Sequence, residues 1–152
     1  MDTGTSASLS ITRVIPATRD RVFRAWTDPD DMRHWACPEG AEIADVSVDL
    51  SVGGAYRIAM SGPDGSSYTA FGTYREVDAP RRLVYTWDWE QPEHAVGETV
   101  VTVSFHDLGE STEVVIEHDL FPTARAAEGH REGWNSCVDR FERLLAAGPA
   151  PA

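Results

Sequence analysis

The hydrophobic and polar positions divide this chain into three regimes. Near the start, "SLSITRVIP" (8–16) alternates, which predicts a strand with every second residue turned to a core. "TRDRVFRAWT" then takes a helical period. Thr18 reads as the N-cap, Asp20 sits favourably in the first turn, and Val22, Phe23 and Trp26 form one apolar stripe. A second short helix begins in "DPDDMRHW", with Asp28 as cap, Pro29 at the first helical position, and Met32 and Trp35 facing inward.

The period then changes to two. "AEIADVSVDL" and "GAYRIAMS" flank a turn at Gly53-Gly54, and "GPDG" (Gly62 to Gly65) is a strong hairpin signal. "SYTAFGTYREV", "LVYTWDW", "ETVVTVSFHD" and "STEVVIEHDL" supply four further strands, and turns this short force antiparallel pairing. The last regime is one long helix from about Ala124 to Ala147, capped by Thr123 and ending before Gly148-Pro149. Its apolar face is Trp134, Cys137, Val138, Phe141, Leu144 and Leu145. With no second sheet available, this stripe must pack on the strands. The predicted fold class is α+β, a helix-grip arrangement: a curved antiparallel sheet of six or seven strands wrapped round the C-terminal helix, with two short helices after the first strand. Residues 1–8 read as a flexible tail, 9–147 as a single domain and 148–152 as a second tail.

Composition narrows the possible partners. The 152 residues suit one domain, and 13 basic against 25 acidic residues give a formal charge of −12. That balance repels phosphate backbones and anionic lipid, so neither nucleic acid nor a membrane is an expected partner. All the basic residues are arginine, which fits a GC-rich, bacterial coding bias. No apolar run approaches a membrane span, and "MDTGTSASLS" lacks the features of a signal peptide, so the cytoplasm is the expected compartment. Cys37 and Cys137 have no metal-like spacing and read as free thiols; no metal or cofactor is expected.

The stretches "VFRAWTDPDDMRHW", "SVGGAYRIAM", "GTYREVDAPRRLVYTW", "VTVSF" and "GWNSCVDRFERLL" together resemble the heat-shock protein 90 ATPase activator homologue-like family of the START/Bet v 1-like (SRPBCC) superfamily. The likeness runs in order from about Ile11 to Leu145. It implies a cavity between the long helix and the concave sheet. Members often carry paired tryptophans and then Gly-Pro where this chain has Trp35-Ala36-Cys37-Pro38, close to the expected cavity mouth.

"EGHREGWNSC" (128–137) then acquires a meaning. Each interior helix glycine costs about 1 kcal/mol against alanine, so Gly129 and Gly133 call for another explanation. His130 shares the face of Trp134 and Cys137, with Ala126, Ala127 and Gly133 on or beside it. Small residues on the N-terminal half and bulky ones on the C-terminal half describe a helix that roofs a pocket at one end. The alternative is that Gly133 only permits close helix–sheet contact.

Strand alternation supplies the expected wall: Tyr56, Ile58 and Met60 on one strand, Leu83, Tyr85 and Trp87 on another. Val101, Val103 and Phe105 continue it, followed by Val114, Ile116 and His118. Trp35 joins them from the second helix. An apolar, aromatic wall with few polar groups is the style of a small-molecule site.

No nucleophile elbow, phosphate loop, dinucleotide fingerprint or zinc-protease helix is present. Two enzymatic arrangements are conceivable: His118 facing His130 as an acid–base pair, or Cys37 with His34 as a nucleophile pair. The leading functional expectation is a cytosolic binding protein for a small apolar or aromatic molecule. The alternatives are a cavity-based cyclase, dehydratase or hydrolase, and a co-chaperone-like protein stimulating a heat-shock protein 90 ATPase. Oligomeric state is left open, with a homodimer among the options.

Overall fold

The computed structural model describes residues 7–147. Seven strands form one sheet: β1 (Ala7–Ile15), β2 (Glu42–Val48), β3 (Ala55–Ser61), β4 (Ser67–Asp78), β5 (Arg82–Trp89), β6 (Thr99–Asp107) and β7 (Thr112–Phe121). Every pairing is antiparallel, in the order β1-β7-β6-β5-β4-β3-β2. Helices α1 (Arg19–Thr27) and α2 (Pro29–Met32) carry the chain from one sheet edge to the other, and α3 (Ala124–Ala146) closes it. This is the helix grip, with the sheet curved around the long helix. Ala7 pairs with Phe121, so residues 7 and 8 belong to the sheet rather than to a tail. The rest of the expected N-terminal tail and the expected tail at 148–152 lie outside the described residues.

The local signals act where their chemistry is short-range. Asp28 accepts the Asp30 amide at 2.9 Å, and Thr123 accepts the Ala126 amide at 3.0 Å, satisfying otherwise orphaned donors at two helix starts. Thr18 has the extended backbone of a cap, but its side chain makes no cap bond. α2 ends at Met32, and Trp35 is buried from the turns beyond it, its indole donating to the Ala25 carbonyl at 2.8 Å. Within the sheet, Gly72 is a packing requirement. A Cβ there would lie 2.0 Å from the Thr86 carbonyl oxygen, beside the register shift between Tyr74 and Glu76.

How the helices lie on the sheet decides where the molecule is solid. α3 packs closest to β1 and β7, with Arg13 of β1 paired to Asp139 at 2.8 Å and to Glu142 at 3.3 Å. α1 rests on β6. Phe141, fully buried, meets the rings of Trp26 and Trp35 edge-on at 5.1 and 4.8 Å. These contacts fill the β1-β7-β6 side of the grip, and β3, β4 and β5 face a different situation. Cys137 and Leu144, expected in the buried stripe of α3, are only half-buried.

Candidate ligand-binding cavity

A cavity of about 590 Å3 lies between α3 and the β3-β4-β5 half of the sheet. From α3 it is lined by Ala126, Gly129, His130, Gly133, Trp134 and Cys137, which follow one another at alternating steps of three and one, so that every second residue is four further on. That spacing is one helical face. β3 contributes Tyr56, Ile58 and Met60; β4 contributes Tyr68 and Tyr74; β5 contributes Tyr85, Trp87 and Trp89. Trp26, Met32 and Trp35 close the end beneath α1 and α2. Exposed Pro63, Glu93, His94 and Arg125 stand at the rim, from the β3–β4 and β5–β6 loops and the start of α3.

The two glycines of α3 border open space. A Cβ built on Gly129 or on Gly133 would meet nothing within 4 Å. Close helix–sheet contact, the alternative offered by the sequence, is therefore not what Gly133 provides. Gly72, where a Cβ would strike the Thr86 carbonyl of the neighbouring strand, shows what a close backbone contact looks like in this molecule, and the contrast is plain.

Another part of the rim is strapped to α3. Arg140 donates through Nη1 to the Cys37 carbonyl at 2.8 Å and the Pro38 carbonyl at 3.3 Å, and reaches Cys37 Sγ at 3.0 Å. The Glu39 amide donates to Ser136 Oγ at 2.8 Å. Ala36, Pro38 and Glu39 are thereby held against the cavity edge. The Trp35-Ala36-Cys37-Pro38 segment is thus a tethered border. Burial pushes the Cys37 and Cys137 thiols up, so neither is a thiolate at neutral pH. Cys37 is buried against Arg140 while His34 is exposed, so the conceivable Cys37–His34 pair is not assembled.

His118 and His130 are neutral and fully engaged. Trp134 donates its indole N–H to His118 Nδ1 at 3.0 Å, which leaves the ring proton on Nε2, facing Thr99 Oγ1 at 2.7 Å. Thr99 in turn donates to the Trp87 carbonyl at 2.6 Å. His130 has the opposite tautomer. It accepts the Trp89 indole N–H at Nε2, 3.0 Å away, and donates from Nδ1 to the Ala126 carbonyl at 2.8 Å. The rings stand edge-on with centroids 5.6 Å apart. Burial, with His130 adding to it, pushes His118 down to about 3, and burial also lowers His130. With all four ring nitrogens bonded to protein, neither histidine has a site from which to take or give a proton to a ligand. The acid–base pairing conceivable from the sequence is not available in this arrangement.

Several expected wall residues lie elsewhere. Val103, Phe105, Ile116 and His118 have the inward phase anticipated for them, yet they sit in the packed core rather than at the cavity. Phe105 is covered by α1, its ring 5.3 Å from Phe23 and 5.9 Å from Trp26. Val103 shares that strand, Ile116 lies on β7 where α3 rests, and His118 is sealed under Trp134. Leu83, Val101 and Val114, expected on the same wall, are likewise buried in the core away from the cavity. The remaining expected residues, Trp35, Tyr56, Ile58, Met60, Tyr85, Trp87, His130, Gly133, Trp134 and Cys137, do border the cavity. Tyr68, Tyr74 and Trp89 are among the lining residues that strand alternation had not put on the expected wall. Trp89 was legible, since it continues the alternation of Tyr85 and Trp87. The rim loops carried no such signal.

Among the described residues no helix is long and apolar enough to cross a membrane, and no group of three or more metal-ligating side chains occurs.

A sheet gripping a long helix over a lined cavity defines a START/Bet v 1-like protein. The profile of the family described as Activator of Hsp90 ATPase homolog 1-like protein matches residues 16–146, and the chain belongs to that family. Among solved structures it is similar to CV1439 from Chromobacterium violaceum, at 26% identity and a TM-score of 0.81, covering 91% of this chain and 96% of that one. A protein from Rhizobium leguminosarum is 27% identical with a TM-score of 0.80, covering 94% and 96% of the two chains. The AHSA1 protein SPO3351 from Silicibacter pomeroyi shares the fold at 21% identity and a TM-score of 0.85, covering 94% and 100%. A comparison with curated proteins found no match.

Proposed function

We propose that this chain is a binding protein for a small apolar or aromatic molecule, held between α3 and the β3-β4-β5 wall. The observation that carries this reading is the open space beneath Gly129 and Gly133. Two helix-weakening residues face a void of about 590 Å3, within the size range of small-molecule sites. The wall is aromatic and aliphatic, and its acidic and basic side chains Glu39, Glu93 and Arg125 are exposed. The engaged histidines favour binding over acid–base turnover.

Pyrene, a rigid fluorescent hydrocarbon, tests this directly. Its vibronic band ratio should report transfer from water to an apolar site on titration with protein. Gly133→Leu places four carbons in the void and should abolish that response while the far-UV spectrum holds and the denaturation midpoint does not fall. The reading fails if the wild-type protein gives no saturable response, or if Gly133→Leu binds pyrene as the wild type does.

A further inference from the structure

The far end of the cavity wall is chemically one-sided. Tyr74 and Tyr85, paired across β4 and β5, are 4% and 7% exposed, and both border the void. Their rings are edge-on with centroids 5.8 Å apart. The Tyr85 hydroxyl accepts the Trp26 indole N–H at 3.3 Å and so has its own proton still to give. The Tyr74 hydroxyl donates to nothing among the described residues. Tyr56, beside them, differs, because its hydroxyl is committed to the Thr86 carbonyl at 2.5 Å. Trp87 on the same wall holds a buried indole N–H with no acceptor among the described residues. This region therefore has more donors than acceptors. A donor left unpaired in an apolar site is costly, and an acceptor brought to it recovers that cost.

Charge decides what kind of acceptor fits. Burial holds both phenols well above their ordinary pKa, so they stay protonated donors at neutral pH. No cationic side chain lines the interior; Arg125 is exposed at the rim, and the chain carries −12 overall. An anion driven to this depth would be desolvated with no opposite charge to meet it. A neutral oxygen loses far less on leaving water.

We infer that the ligand is an uncharged, largely apolar molecule whose buried end carries an acceptor oxygen of the ketone, ester or lactone kind, received by the hydroxyls of Tyr74 and Tyr85. This rests on the cavity being the binding site, and it specifies what enters.

A matched series separates the two claims: pyrene, acetylpyrene and pyrene carboxylate share one body and differ only in the group presented. The wild-type protein should bind the ketone more tightly than the hydrocarbon and the carboxylate most weakly. Tyr74→Phe removes a hydroxyl that satisfies no protein group, so the fold should be retained. It should lower the affinity for acetylpyrene relative to pyrene by roughly fivefold, the scale of one net hydrogen bond. The emission of bound acetylpyrene, which responds to hydrogen bonding at its carbonyl, should shift as well. Tyr85→Phe should act in the same direction; if loss of the Trp26 contact unfolds that variant, Tyr74→Phe decides alone. Binding of pyrene with no preference for the ketone, with tighter binding of the carboxylate, or with an unchanged ketone-to-hydrocarbon ratio in Tyr74→Phe overturns this inference and leaves the cavity reading standing. Absence of binding by all three probes overturns both.

Discussion

Gly133 and Gly72 make a paired prediction in which one substitution should have opposite signs. At Gly133 an added methyl would meet nothing within 4 Å, so Gly133→Ala brings no steric cost. What remains is helix propensity, and alanine exceeds glycine there by about 1 kcal/mol. The unfolded chain also loses freedom, which acts in the same direction and is already part of that figure. For a protein of this size the gain corresponds to a rise in Tm of roughly 2–4 °C. At Gly72 the added carbon would lie 2.0 Å from the Thr86 carbonyl oxygen, and that partner is sheet backbone. Strand β4 would have to leave β5 to make room. Overpacking costs of ~1–3 kcal/mol are usual where side chains can yield, and here the lower end should be exceeded. Urea denaturation of the two variants beside the wild type, with a common m-value, reads both effects as midpoint shifts. The reasoning is refuted if Gly133→Ala destabilises the protein, since α3 would then be touching the sheet at that point. Tolerance of Gly72→Ala without loss would equally refute the assignment of that glycine to packing.

Two further outcomes follow from the core and its histidine. Phe141→Ala should cost about 3–5 kcal/mol, because a fully buried ring between Trp26 and Trp35 is lost and a hole is left; a loss of unfolding free energy below about 1 kcal/mol in urea denaturation would show the α3 face to be assigned wrongly. His118, held down to about 3 against an ordinary 6.5, binds its proton in the unfolded chain first, so its share of stability is whole above pH 6.5 and is lost as pH falls from there toward 3, by about 1.4 kcal/mol per pH unit. His118→Gln, which can keep an acceptor for Trp134 and a donor for Thr99 without titrating, should flatten that slope in urea titrations between pH 6.5 and 4; an unchanged slope would mean that His118 is not the titrating group.

Sequence alone was enough for the elements, because their causes are local. Period two and period 3.6, the caps at Asp28 and Thr123, and the short turns all act within a few residues, and each element followed from them. The antiparallel pairing of strands joined by short turns came from the same source, whereas the pairing of β1 with β7 joins residues about a hundred apart and belongs to the tertiary structure. Strand phase was legible too: Tyr56, Tyr85, Val103 and Ile116 all face inward as alternation required. Alternation, however, reports only that a residue faces the interior, and the interior here is of two kinds. Whether an inward side chain meets a helix or a void depends on how α1 and α3 lie across the sheet, and residues far apart in the chain set that placement. Arg13 with Asp139, Phe23 on Phe105, and Phe141 between Trp26 and Trp35 draw both helices onto the β1-β7-β6 side. Phe105 and Ile116 are thereby core, while Tyr74 and Trp89 on the other half border the cavity. His118 and His130 show the same division: a histidine on an inward face is visible in sequence, but the indoles that fix its tautomer arrive through tertiary packing.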